Sequence, residues 1–149
     1  MNYTKIVDGP TKTYVLVFDV GDEVVAEISA FAKRESVTAA RLTGIGAFSH
    51  ATLAALNHDT KKYEAFPVNQ QVELLSLVGD IALRDGAPLL HAHAVVGHRD
   101  GSVAGGHLIM GRVWPTLELF VDVYPYQLQK VLEADVGIAT MDLKEAVTL

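Results

Sequence analysis

His91, His93 and His107 are the residues best suited to chemistry in this chain, and they sit together in HAHAVVGHRDGSVAGGHLIM, residues 91–110. On a strand, side chains alternate with period two, so a His-x-His pair points both imidazoles to one side. A third imidazole brought beside them would complete a transition-metal site, most plausibly for zinc, with another divalent transition metal as the alternative. The chain has no cysteine, so thiolate zinc sites, disulfides and cysteine nucleophiles are excluded, and a metal site must use His, Asp or Glu.

The third histidine depends on a turn. Arg99-Asp100-Gly101 fits a three-residue hairpin loop with glycine at the left-handed position. Residues whose numbers sum to 200 then lie opposite one another: His98 with Ser102, Gly97 with Val103, and His93 with His107. Directly opposed residues share a face, with Cβ atoms about 4.5–5.5 Å apart. His91 lies two residues along on that face. A zinc ion with bonds of about 2.0–2.1 Å needs nitrogens roughly 3.3 Å apart, which leaning imidazoles can reach. A bulge at Gly105-Gly106 would slip the register by one and turn His107 to the other face. The alternative is that these are solvent-facing polar positions on a sheet.

A ligating imidazole usually has its second nitrogen held by a carboxylate or carbonyl. Glu118, in the otherwise apolar TLELFV, is the candidate helper, because an unpaired carboxylate is costly to bury; otherwise it points to solvent. Asp122, four residues on, shares that ambiguity. His50 and His58 read as loop or strand-end residues, and His98 as a solvated turn residue. Gly44-Ile45-Gly46 lacks the third glycine of a dinucleotide fingerprint, since position 49 is Ser49. A bulge or a close backbone approach, bordering a pocket, suits it better. Ser49-His50 and Ser102 with His98 carry no nucleophile-elbow pattern. Trp114 and Phe120 suit core or subunit-interface packing better than base stacking, because no basic residues interleave with them.

The elements that must position these residues are mostly strands. TYVLVFD, residues 13–19, is rich in β-branched and aromatic types. Asp22 is a candidate cap for a helix running to about Ser36, with Val25, Ile28, Phe31 and Ala32 on one face. Further strands are expected at Ala39–Phe48, Ala51–Leu56, Tyr63–Val68, Val72–Val78, Leu89–Gly97, Val103–Met110 and Thr116–Val123. Turn-forming clusters at Asn57–Thr60 and Arg84–Pro88 separate them. Leu128, Val131 and Leu132 could begin a short helix that Gly137 would end. The pattern predicts an α+β (α/β) fold: one compact domain over residues 1–149, a mostly antiparallel sheet or partial barrel with one main packed helix.

At 149 residues, half of them hydrophobic, the chain can bury a core of its own. No apolar run approaches the roughly 20 residues of a membrane helix, and MNYTKIVDGPTK has no apolar secretory stretch, so a cytoplasmic protein is expected. The net charge of −6 disfavours a phosphate backbone as partner, and Lys33-Arg34 and Lys61-Lys62 are the densest basic groups.

HAHAVVG, then DGSVAGGHL, then a TLE strand, with LTGIGAFSHATL at residues 42–53, resembles the plants-and-prokaryotes conserved (PPC) domain family. The similarity runs from about Thr13 to Leu143. The resemblance implies a compact α/β domain with an antiparallel sheet, assembled as a homotrimer. It also implies a bound metal, zinc by preference, at the three positions occupied here by His91, His93 and His107. The plant members carry a separate AT-hook, whose Arg-Gly-Arg-Pro core is absent here; Gly111-Arg112-Val113-Trp114-Pro115 is no substitute. Three functions follow as expectations: a metal-binding, regulatory module; a zinc enzyme acting on a small molecule with Glu118 near the metal; and a DNA-associated regulator, as labels in the family suggest.

Overall fold

Alternating apolar residues drive most of this chain into strands, and the structure, a computed structural model, describes residues 1–149. In chain order the elements are β1 (Asn2–Asp8), β2 (Lys12–Phe18), α1 (Val24–Arg34), β3 (Ala39–Asn57), β4 (Lys62–Val68) and β5 (Val72–Arg84). They continue with β6 (Ala87–Gly97), β7 (Val103–Val123), β8 (Tyr126–Glu133) and β9 (Ile138–Thr148). All nine strands join one sheet in the order β1-β2-β7-β3-β5-β8-β9, with β4 paired to β3 and β6 paired to both β5 and β7. The result is mostly β with a single helix. It is one large sheet and not a closed barrel.

The helix packs its Val24, Ile28, Phe31 and Ala32 face onto the sheet. The facing side chains alternate along the strands, as in Leu16 and Phe18 of β2, Ala92, Ala94 and Val96 of β6, and Leu117, Leu119 and Val121 of β7. That alternation sends the intervening residues to the outer face. Trp114 and Phe120 are exposed there, at 44% and 47%, so they are not core residues. No helix is long and apolar enough to cross a membrane.

The cap is Glu23 and not Asp22. The Glu23 carboxylate accepts hydrogen bonds from the Val25 and Ala26 N–H groups at 3.2 and 2.8 Å, and from the Gly111 N–H at 3.1 Å. Asp22 is drawn away by the N-terminal ammonium at 2.7 Å and the Asp19 N–H at 2.9 Å.

Two pairs of expected strands are continuous. Ala39–Phe48 and Ala51–Leu56 merge into β3, and Val103–Met110 and Thr116–Val123 merge into β7, because the β3–β7 ladder absorbs its irregularities as register shifts. The expected helix at Leu128–Leu132 is instead β8, paired along its length with β9. At Gly44-Ile45-Gly46 the register of β3 on β5 shifts, and a Cβ on Gly44 would lie 2.6 Å from the Glu118 carbonyl oxygen. The glycines there serve a bulge and a close backbone approach.

Candidate functional site

The β6–β7 turn follows the sequence closely. The His98 N–H donates to the Ser102 carbonyl at 2.8 Å, and Gly101 takes a left-handed φ of 83°. Asp100 closes the loop by accepting from the Ser102 N–H at 2.9 Å and the Ser102 hydroxyl at 2.6 Å. The register beyond it pairs Gly97 with Val103, Val95 with Gly105, and His93 with His107, without a shift at Gly105-Gly106. A one-residue slip would require Ala92, Ala94 and Val96 to leave the core, so burial locks what the turn begins.

His91, His93 and His107 therefore converge on the outer face, each able to offer a nitrogen, and these atoms all lie within 4.8 Å of one another. The His91 and His107 rings stack with centroids 5.3 Å apart, and His93 stands edge-on to both. Tyr63 of β4 stacks on the other side of His107 at 4.4 Å. Burial pushes the His107 imidazole down to about 4, with His91, His93 and Lys130 adding to the effect. His93 is lowered too, by partial burial and then by His91. Neutral imidazole is the form that binds a metal. His107 Nδ1 is buried without a hydrogen-bond partner, a costly condition that a metal ion would relieve. Three imidazole nitrogen donors with one orphaned buried atom fit a borderline-soft divalent ion such as zinc.

Glu118 is not part of this cluster. It is exposed eleven positions along β7 from His107, opposite Ile45 and Val17, and it lines a separate hollow with Glu73 and Leu75. Asp122 accepts hydrogen bonds from the Thr13 hydroxyl at 2.8 Å and Arg41 Nε at 3.1 Å. The carboxylate at the histidines is Asp80 of β5, directly opposite His91 in the ladder, with Oδ2 3.4 Å from His91 Nδ1. Its Oδ1 meets Lys130 Nζ at 2.5 Å, off the direction of an aligned hydrogen bond and so an ion pair by proximity. Lys130 of β8 is 6% exposed. Sequence reasoning missed both residues. Asp80 lies in the apolar run LVGDIAL and carried the same signal that drew attention to Glu118. Lys130 lay in the stretch read as helix.

The other histidines stand apart. His50 lies 3.1 Å from the Ser49 hydroxyl on the surface, and Ser49 also donates to the Arg112 carbonyl, so Ser49-His50 is a surface contact. His58 meets Asp59 in solvent, and His98 is half-buried against the Gln70 amide at 2.6 Å.

The fold has solved relatives. A candidate DNA-binding protein from Bacteroides thetaiotaomicron superposes with a TM-score of 0.86 at 26% identity, over 96% of this chain and 99% of the other. A plant- and prokaryote-conserved (PPC) protein from Pyrococcus horikoshii gives 0.82 at 27% identity, over 95% and 96%. A metal-containing protein from Archaeoglobus fulgidus gives 0.81 at 26% identity, over 94% and 97%. A search among curated proteins finds no significant sequence match. The profile of the Plants and Prokaryotes Conserved (PCC) domain matches residues 6–125, which hold the whole histidine hairpin, and the chain belongs to that family.

Proposed function

We propose that this protein is a metal-binding module in which His91, His93 and His107 hold a zinc ion, working as a homotrimer that binds or regulates another molecule. The observation that carries the reading is the convergence of three imidazole nitrogens within 4.8 Å on rigid, register-locked strands. The Archaeoglobus fulgidus relative described as metal-containing supports it. Self-association is supported by the outer face, where Val78, Phe120, Trp114 and Val103 are exposed on the same molecule. Ladder pairing lines up His93, Val78, Thr43 and Phe120 across four strands, so this apolar surface runs up to the histidines. Three histidines leave a fourth tetrahedral position open, and Lewis-acid polarisation of its occupant is the chemistry a bound zinc supplies.

Elemental analysis of the purified protein tests this reading. About one zinc per chain is expected, and His93→Ala is expected to lower the content to background while the far-ultraviolet spectrum stays β-rich. Full metal content in His93→Ala would remove this ligand set.

An enzymatic reading is favoured by one feature, a hollow of about 240 Å³ bordered by His91 and His107. A DNA-associated role has the description of the Bacteroides relative behind it and the net charge of −6 against it. It requires duplex binding that weakens steeply with salt, and a flat response at low salt would dismiss it.

A further inference from the structure

The hollow beside the histidines has a charge character unlike the rest of the chain. Acidic residues outnumber basic ones by 18 to 12 overall, yet the only two charged side chains that line this cavity are Arg84 and Lys130. Its other walls are largely apolar, with Leu90, Leu132 and Ile138 among them, and Tyr63 adds a hydroxyl. At about 240 Å³ it falls just below the usual range of roughly 300–1,000 Å³ for ligand sites, so its occupant is small.

Lys130 is the second observation. Its side chain is 3% exposed, and an ammonium so buried demands partners for three donors. Asp80 takes one side of it, and Asp80 also faces His91 at 3.4 Å, so its charge is shared. The remaining donor directions are left for the cavity that Lys130 lines. Arg84 meets only Asp85, at 3.6 Å in an exposed pair, an interaction weak enough for the guanidinium to turn to a better acceptor.

We propose that this cavity, between the histidine cluster and the β8–β9 hairpin, binds a small organic carboxylate, its anionic end on Lys130 and Arg84 and its apolar body against Leu90, Leu132 and Ile138. The site deepens the small-molecule side of the metal reading but stands on the cavity's own charges, so it does not require the metal.

Calorimetric titration with benzoate, benzamide and inorganic phosphate tests it, on the protein as purified and again after chelation. Saturable benzoate binding is expected, at least tenfold tighter than benzamide and than phosphate, and retained after chelation. Arg84→Gln is expected to weaken benzoate about tenfold, the scale of one charge-assisted contact. Ala139→Trp, which fills the cavity from β9, is expected to abolish binding. The paired change Lys130→Met with Asp80→Asn removes the buried ammonium without stranding its carboxylate, and it too is expected to abolish binding. Equal binding of benzamide would overturn the anionic end, and equal binding of phosphate the apolar body. Loss on chelation alone would assign the carboxylate to the metal, leaving the metal reading intact. Unchanged affinity in Ala139→Trp would place the ligand elsewhere.

Discussion

The two hairpins that meet at the candidate site are held in opposite ways. β6–β7 enters the middle of the sheet: β6 pairs with β5 and β7, and Ala92, Ala94 and Val96 are buried beneath it. β8–β9 hangs on the sheet by a single parallel bridge, Leu83 with Gln129, and leaves Val131, Leu132, Leu143 and Val147 exposed. The one side chain β8 buries deeply is charged, Lys130. One hairpin owes its register to core packing; the other is attached at its margin, by that bridge, by the Lys130–Asp80 ion pair and by hydrogen bonds from the Thr38 hydroxyl to the Tyr126 carbonyl and from the Leu128 N–H to the Thr38 carbonyl. A metal cluster needs the first kind of support, because its three nitrogens must stay in place with no ion to hold them. A ligand cavity can be walled by the second.

The largest test of that contrast is steric. A Cβ on Gly106 would stand 2.6 Å from the Ala54 carbonyl oxygen, with the Ala54 carbonyl carbon and nitrogen at 3.3 and 3.5 Å behind it, so backbone would have to shift to admit it. Gly106→Val should cost about 2–3 kcal/mol through overpacking, which lowers Tm by several degrees in a chain of this size. Gly101 meets nothing within 4 Å, so Gly101→Ala should cost only the left-handed backbone term, about 1 kcal/mol. Thermal denaturation of the two variants side by side checks the order, and equal losses would deny that packing sets the register.

Smaller effects separate the hairpins by burial. Val96 is fully buried, and Val96→Ala should cost about 2 kcal/mol in denaturant unfolding. Leu143 is 74% exposed, and Leu143→Ala should stay within about 0.5 kcal/mol. A comparable loss at Leu143 would mean that β9 is covered in solution, as an interface between chains would cover it.

The same contrast explains what could be read in the residues themselves. Arg99-Asp100-Gly101 placed His93 opposite His107 because turn chemistry and period-two burial agree along β6 and β7. They disagree in β8. Leu128, Val131 and Leu132 have helical spacing, and the inward position of the strand carries a lysine where an apolar residue is expected. Lys130 makes sense only with Asp80 beside it, a contact fifty residues distant in sequence that no local pattern contains. Asp22 and Glu23 both suit a helix cap, and the choice between them rests on an ammonium and a Gly111 N–H supplied from elsewhere. Glu118 and Asp80 are alike in sequence as carboxylates in apolar strands. Only the sheet order decides which one faces an imidazole.

Acid should sharpen the comparison, because carboxylates hold the periphery and apolar packing holds the centre. At the far edge of the sheet, Glu35 at the end of α1 accepts hydrogen bonds from the Tyr3 and Tyr14 hydroxyls at 2.7 and 2.8 Å. Those two bonds, Tyr3 first, hold its carboxyl below the ordinary value of 4.5, against the opposing effect of burial. A carboxyl depressed in the folded state binds its proton more readily in the unfolded chain. The stability it contributes is therefore fully present above pH 4.5 and lost as pH falls through the folded value. Glu35→Gln should lower Tm at pH 7 and flatten its fall in acid, whereas Val96→Ala should lower Tm by a similar amount at pH 7 and at pH 4. Melting curves of both variants across that range decide it. A Glu35→Gln profile parallel to the parent would show that the Tyr3–Glu35–Tyr14 contact does not carry the acid sensitivity of the sheet edge.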